Sequence, residues 1–160
     1  MAMTSEELDS LLKDFEPDGS WRDIVMLDWT LAAWDAFLAW VRTAGRPFEF
    51  FIDGQVSILP PLAADIFKIR EVASPLLEIH IGCGVANCHF FDDVQFELDI
   101  MPCDYHSREA IQPLLNFITD LGRAMHRSVH IALENLHDSV LAMYDLERDE
   151  LAYVPWPREG

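Results

Sequence analysis

Five side chains that could ligate a soft or borderline metal fall close together, as Cys83-x4-Cys88-His89 and Cys103-x2-His106. Zinc would accept four of Cys83, Cys88, His89, Cys103 and His106 if the turns converge, because thiolate and imidazole suit tetrahedral coordination. The competing account is that the three cysteines pack as small apolar residues at strand ends, since x4 beside a strand spaces the first pair widely. A second set, His126, His130 and Glu134, recurs at i, i+4 and i+8, and Glu134-x-x-His137 imitates half of a dinuclear iron motif. That set converges only on a helix; no second Glu-x-x-His accompanies it, and on a strand it points nowhere in common. His137-Asp138-Ser139 holds three triad residue types, but adjacent residues do not form a nucleophile, a base and an orienter in line. Gly82-x-Gly84 lacks the third glycine of a dinucleotide fingerprint, and no Gly-Lys-Ser/Thr of a phosphate loop occurs. The expectation is a protein without a cofactor, zinc being the alternative that the Cys/His cluster would support.

Carboxylates are the other abundant chemistry. Asp and Glu number 28 against 11 Lys and Arg, for a formal charge of -17, with Lys13 and Lys68 the only lysines. A charge of that sign repels phosphate backbones and anionic lipid and draws basic partners from a distance, so direct nucleic-acid binding and membrane attachment are both disfavoured. So many acids make any catalytic pair chosen from Asp92, Asp93, Glu97, Asp99 and Asp104 uninformative, whereas a docking surface needs only their density. With 160 residues, 51% of them hydrophobic, the chain should form one domain spanning 1–160 around one core. Three cysteines are too few for a disulfide framework, and no leader-like segment or long apolar run is present, so a cytoplasmic protein with reduced thiols is expected.

The elements that must position these groups follow from periodicity. Thr4-Ser5-Glu6-Glu7 fits a capping box ahead of Leu8, Leu11, Leu12 and Phe15, predicting a helix over about 5–15. Ile24-Val25 marks a buried strand within 21–27. Asp28 is then the expected N-cap of a wide-striped, largely buried helix from Trp29 to Thr43, with Gly45 in the left-handed position and Pro47 preventing resumption. Phe48–Ile52 and Gln55–Leu59 flank Asp53-Gly54, a type I′ hairpin signal. The segment 62–73 has helical spacing interrupted by β-branched residues. Strands are expected at 76–81 and 94–101, with residues 82–87 as the turn between them and Glu97 and Asp99 on the outward face of the second. Ser107 onward is helical through Met125 despite Pro113. Beyond it, propensity would carry the helix to Leu133, while Ser128-Val129-His130-Ile131 favours a strand. A C-terminal hairpin pairs 140–144 with 151–154. This order predicts an α+β fold on an antiparallel or mixed sheet. Trp21, Trp29, Trp34, Trp40 and Trp156 are read first as core and second as aromatic anchors of an interface.

Cys88-His89-Phe90-Phe91, Val94 to Pro102, the helix Leu114 to Met125, Val129 to Asn135, Tyr144-Asp145 and Tyr153-Val154-Pro155 together resemble small uncharacterised bacterial proteins, some of them similar to the immunity proteins of polymorphic toxin systems. The resemblance covers roughly the C-terminal half and carries no catalytic residues. It implies a cytoplasmic α+β protein that binds and blocks a toxin, and it implies a strand at 128–132.

The leading expectation is therefore a non-enzymatic, immunity-like binding protein whose acidic positions Asp92, Asp93, Glu97 and Asp99 capture a basic protein such as a toxin domain. The alternatives are a metal-dependent enzyme or zinc-stabilised module using the Cys/His cluster, and a structural protein that self-associates as a homo-oligomer through its apolar helix.

Overall fold

The computed structural model describes residues 3–155; Trp156 lies outside them. Helix α1 (Ser5–Asp14) starts as its capping box requires, with Thr4 Oγ1 accepting from the Glu7 amide and Glu7 accepting from the Thr4 amide. Strand β1 (Arg22–Met26) follows, then α2 (Leu31–Thr43). The N-cap of α2 is Thr30, not Asp28: the Thr30 hydroxyl accepts from Ala33 N, while Asp28 sits at φ 55° in the preceding turn and leaves Trp29 outside the helix. The hairpin β2 (Phe48–Ile52) and β3 (Gln55–Ser57) turns on Asp53 and Gly54 at φ 48° and 77°, the two positive angles of a type I′ turn. Helix α3 (Ala63–Arg70) occupies the segment of mixed signals and takes its first amide bond from Asp35 Oδ1 at 2.8 Å.

Strands β4 (Pro75–Ile81), β5 (Gly84–Cys88) and β6 (Phe96–Ile100) form a meander. The expected turn over 82–87 shrinks to Gly82 and Cys83, because Val85 and Asn87 alternate with buried Ala86 and Cys88 as a strand, and the loop falls at 89–95 instead. A 3-10 turn (Pro102–Tyr105) leads to α4 (Arg108–Met125), which accommodates Pro113 and ends with His126 left-handed at φ 53°. That reversal stops the helix, and β7 (Val129–Leu133), β8 (Leu136–Asp145) and β9 (Glu150–Tyr153) complete the fold. His126, His130 and Glu134 consequently share no helix face, and the iron-like spacing dissolves.

All nine strands pair antiparallel in one sheet, ordered β3-β2-β4-β5-β6-β1-β7-β8-β9. The architecture is α+β. The core lies on one side of the sheet, where Ile24, Met26, Leu77, Ile79, Phe96, Leu98 and Ile131 join Leu11, Trp34, Phe37, Ile66, Leu114, Phe117 and Ile118 of the four helices. Trp34 is its aromatic centre, in ring contact with Trp29, Phe37, Phe67, Phe90 and Phe96. Trp29 and Trp34 are thus core and not docking anchors, at 4% and 1% exposure. Val25 and Ala132 are buried too, yet stand outside this cluster, on the opposite side of the sheet. No described helix is long and apolar enough to cross a membrane.

Candidate functional site

The opposite side of the sheet carries no helix among the described residues, and strand alternation decides what it displays. Each of β4, β5 and β6 buries every second residue and leaves the intervening one half-exposed: Glu78 and His80, Val85 and Asn87, Glu97 and Asp99. Register then lines these residues up. Glu49 stands opposite Glu78, Glu78 opposite Asn87, Asn87 opposite Asp99, and Asp99 opposite Asp23. Four carboxylates and one amide form a single row across β2, β4, β5, β6 and β1, about 19 Å long at the ~4.8 Å spacing of adjacent strands. Directly opposed like charges destabilise a sheet, so folding alone gives no reason for Glu49 to face Glu78. Arg22 is the one lysine or arginine in the nine strands. Its register partners Ile100 and Leu133, and its hydrogen bonds to Asp14 O at the end of α1, put it on the helix side. There it also faces Asp18, whose carboxyl is held at about 2 by Ser20 first and by Arg22.

The countercharges on the open side are imidazoles. His89 Nε2 lies 3.3 Å from Asp99 Oδ2, while Asn87 donates to the other Asp99 oxygen at 3.1 Å. The Asp99 contact raises the His89 pKa above its ordinary value, against the lowering effect of partial burial. His80 Nε2 is 3.6 Å from Glu49. Burial lowers the pKa of His130, which lines a hollow of about 360 Å³ together with Asp138, Ser139 and the apolar Val140, Met143, Val154 and Pro155.

At the end of the acidic row the chain builds a tighter group. Asp23 is 1% exposed, and its Oδ2 accepts both the Asn135 amide at 2.9 Å and His137 Nε2 at 3.1 Å. Facing a carboxylate, Nε2 carries the hydrogen. His137 Nε2 is also 3.9 Å from Glu97 Oε2. Burial foremost, and then the Asp23 carboxylate, push the Glu97 carboxyl above the usual carboxylate range. What delivers His137 is an irregularity in pairing: Leu133 pairs with Leu136 but Ala132 with Val140, so residues 137–139 bulge from the ladder over β1.

Of the residues singled out from sequence, Glu97 and Asp99 stand on the open side as expected. Asp92 and Asp93 do not join them; they lie in the 89–95 loop at the rim, beside Phe91 and the Arg70 end of α3. The Cys/His cluster is not brought together. Cys88 is fully buried in the core with its thiol pKa pushed up by burial, whereas its neighbour His89 faces Asp99 on the other side. Cys83 and Cys103 are exposed, in the β4–β5 turn and the 3-10 turn, and His106 is exposed behind the latter. Among the described residues, the groups of three with ligand atoms within 4.8 Å of one another are Asp23, Glu97 and His137, and Glu49, Glu78 and His80. Sequence reasoning missed Asp23, Glu49 and Glu78; the signal was present, because each is an acid alternating with apolar strand residues, but its meaning needed the register. None of the family models, characterised proteins or solved structures compared with the chain matches it.

Proposed function

We propose that this chain is a non-enzymatic protein-binding protein that captures a basic partner on the helix-free side of its sheet. An immunity-like inhibitor of a basic toxin domain is the form of this reading that the sequence resemblance favours. The observation that carries it is the row Glu49, Glu78, Asp99 and Asp23, which sets like charges against each other on strands whose one Lys or Arg, Arg22, lies on the helix side. Such an arrangement costs stability in the free protein and is relieved when cationic side chains are laid along it. The net charge of -17 supplies long-range steering toward the same kind of partner. Apolar positions beside the acids, Leu76 and Phe51, are half-buried on the same side and offer contact area that charge alone lacks.

The test takes a lysine- and arginine-rich protein as the probe and follows association by stopped flow over ionic strength. The association rate should fall steeply with salt, and Glu78→Lys and Asp99→Lys should each slow it further, whereas Glu6→Lys on α1 should not. A salt-insensitive rate, or equal effects from the α1 variant, overturns the reading.

A further inference from the structure

We propose that Asp23, Glu97 and His137 form a binding site for a first-row divalent transition-metal ion such as zinc. The inference is independent of the docking reading above. The three side chains come from β1, β6 and β8, far apart in sequence, and their ligand atoms all lie within 4.8 Å of one another. Ligand atoms at ~2.0–2.2 Å from a tetrahedral ion stand roughly 3.4 Å apart, and here Nε2 is 3.1 Å from Asp23 Oδ2 and 3.9 Å from Glu97 Oε2. Those two distances need change by only about 0.3 and 0.5 Å, and the two carboxylate oxygens already lie within 4.8 Å of each other.

Three further features belong to a metal site more than to an incidental ion pair. Asp23 is oriented from behind by the Asn135 amide, the outer contact that fixes a ligating carboxylate. The bulge that carries His137 serves no core packing: His137 is about a third exposed and points at Asp23 and Glu97. Finally, two carboxylates, one of them fully buried, share one imidazole, and no described strand residue on their side of the sheet is a Lys or Arg that would balance the excess negative charge. An entering cation would take the place of the Nε2 hydrogen, which moves to Nδ1, so that the Nε2–H···Oδ2 bond is replaced by two metal–ligand bonds to a neutral imidazole and the Asp23 carboxylate. One nitrogen and two carboxylate oxygens suit zinc or manganese over magnesium or calcium. With three protein ligands, at least one coordination position faces solvent, open to water or to a ligand from a docked protein.

The experiment uses the full chain, freed of metal by chelator and titrated with zinc chloride by calorimetry at neutral pH. One saturable equivalent is expected, weakened roughly tenfold or more in Glu97→Gln and in His137→Gln. His80→Gln, in the second acidic group, should leave it intact. In the unaltered protein, manganese ion should broaden the NMR resonances of Val25, Glu97 and His137 first, which keeps the test independent of how the variants fold. Absence of a saturable equivalent overturns the proposal, as does zinc affinity unchanged in both variants, or broadening centred on His80, Cys83 or Cys103.

Discussion

Neutralising one acid of the row should stabilise the fold. Glu78 stands directly opposite Glu49, with carboxylate oxygens no more than 4.8 Å apart. Two unit charges at that distance repel by about 0.9 kcal/mol in a medium of water's dielectric constant, which suits this pair because Glu49 is half-exposed. Screening at ~0.15 M salt, with a Debye length near 8 Å, reduces the figure to about 0.5 kcal/mol. Glu78→Gln keeps the shape and removes the charge. The variant should therefore gain about 0.5 kcal/mol, or roughly 1–2 °C in Tm for a chain of this length. Differential scanning calorimetry at pH 8 measures it, repeated at low and high salt. The gain should rise to about 0.7 kcal/mol near 0.01 M and fall to about 0.2 kcal/mol at 1 M, where the Debye length is ~3 Å. A Tm that drops, or a gain that does not shrink with salt, would refute the claim that the row stores repulsion. The same variant should bind a basic partner less well, so stability and function would move in opposite directions.

Two further outcomes follow from particular contacts. Gly122→Ala in α4 should destabilise by ~1–3 kcal/mol, read from urea midpoints, because the added carbon would sit 2.6 Å from Tyr144 Cε1 and 2.8 Å from the Arg127 carbonyl oxygen; that overpacking outweighs the ~1 kcal/mol helix-propensity gain. His89, whose folded pKa is raised by Asp99, contributes stability that is fully present below the ordinary imidazole value and is lost as pH rises through the higher folded value; the stability difference between the unaltered protein and His89→Gln should be larger at about pH 5.5 than at about pH 8.5, and a pH-independent difference in urea titrations would contradict it.

Local signals alone were enough for much of the framework. The capping box at Thr4, the Asp53-Gly54 turn, and the alternation of Phe96, Leu98 and Ile100 against Glu97 and Asp99 are each decided by residues within one turn or one strand, so they could be read directly. The sequence by itself also determined the acidic charge and the scarcity of lysine, which are sums over residues and need no geometry. Where two local forces competed, reading faltered: Asp28 and Thr30 are both good caps, and the apolar spacing of 126–133 suits a helix as well as a strand until His126 turns left-handed.

Only the tertiary structure decided which acids matter. Asp23, Glu49, Glu78 and Asp99 are scattered over much of the chain, and they become one row because β1 is inserted between β6 and β7 and because every pair keeps its register. A shift of one residue in any pairing would turn that strand's acids into the core. His137 meets Asp23 through a bulge, a shift in pairing register between β7 and β8 that no periodicity in the sequence records. The Cys/His cluster failed for the mirror reason: nearness along a strand sends consecutive side chains such as Cys88 and His89 to opposite faces, so spacing that looks like a site in one dimension is divided by the sheet itself.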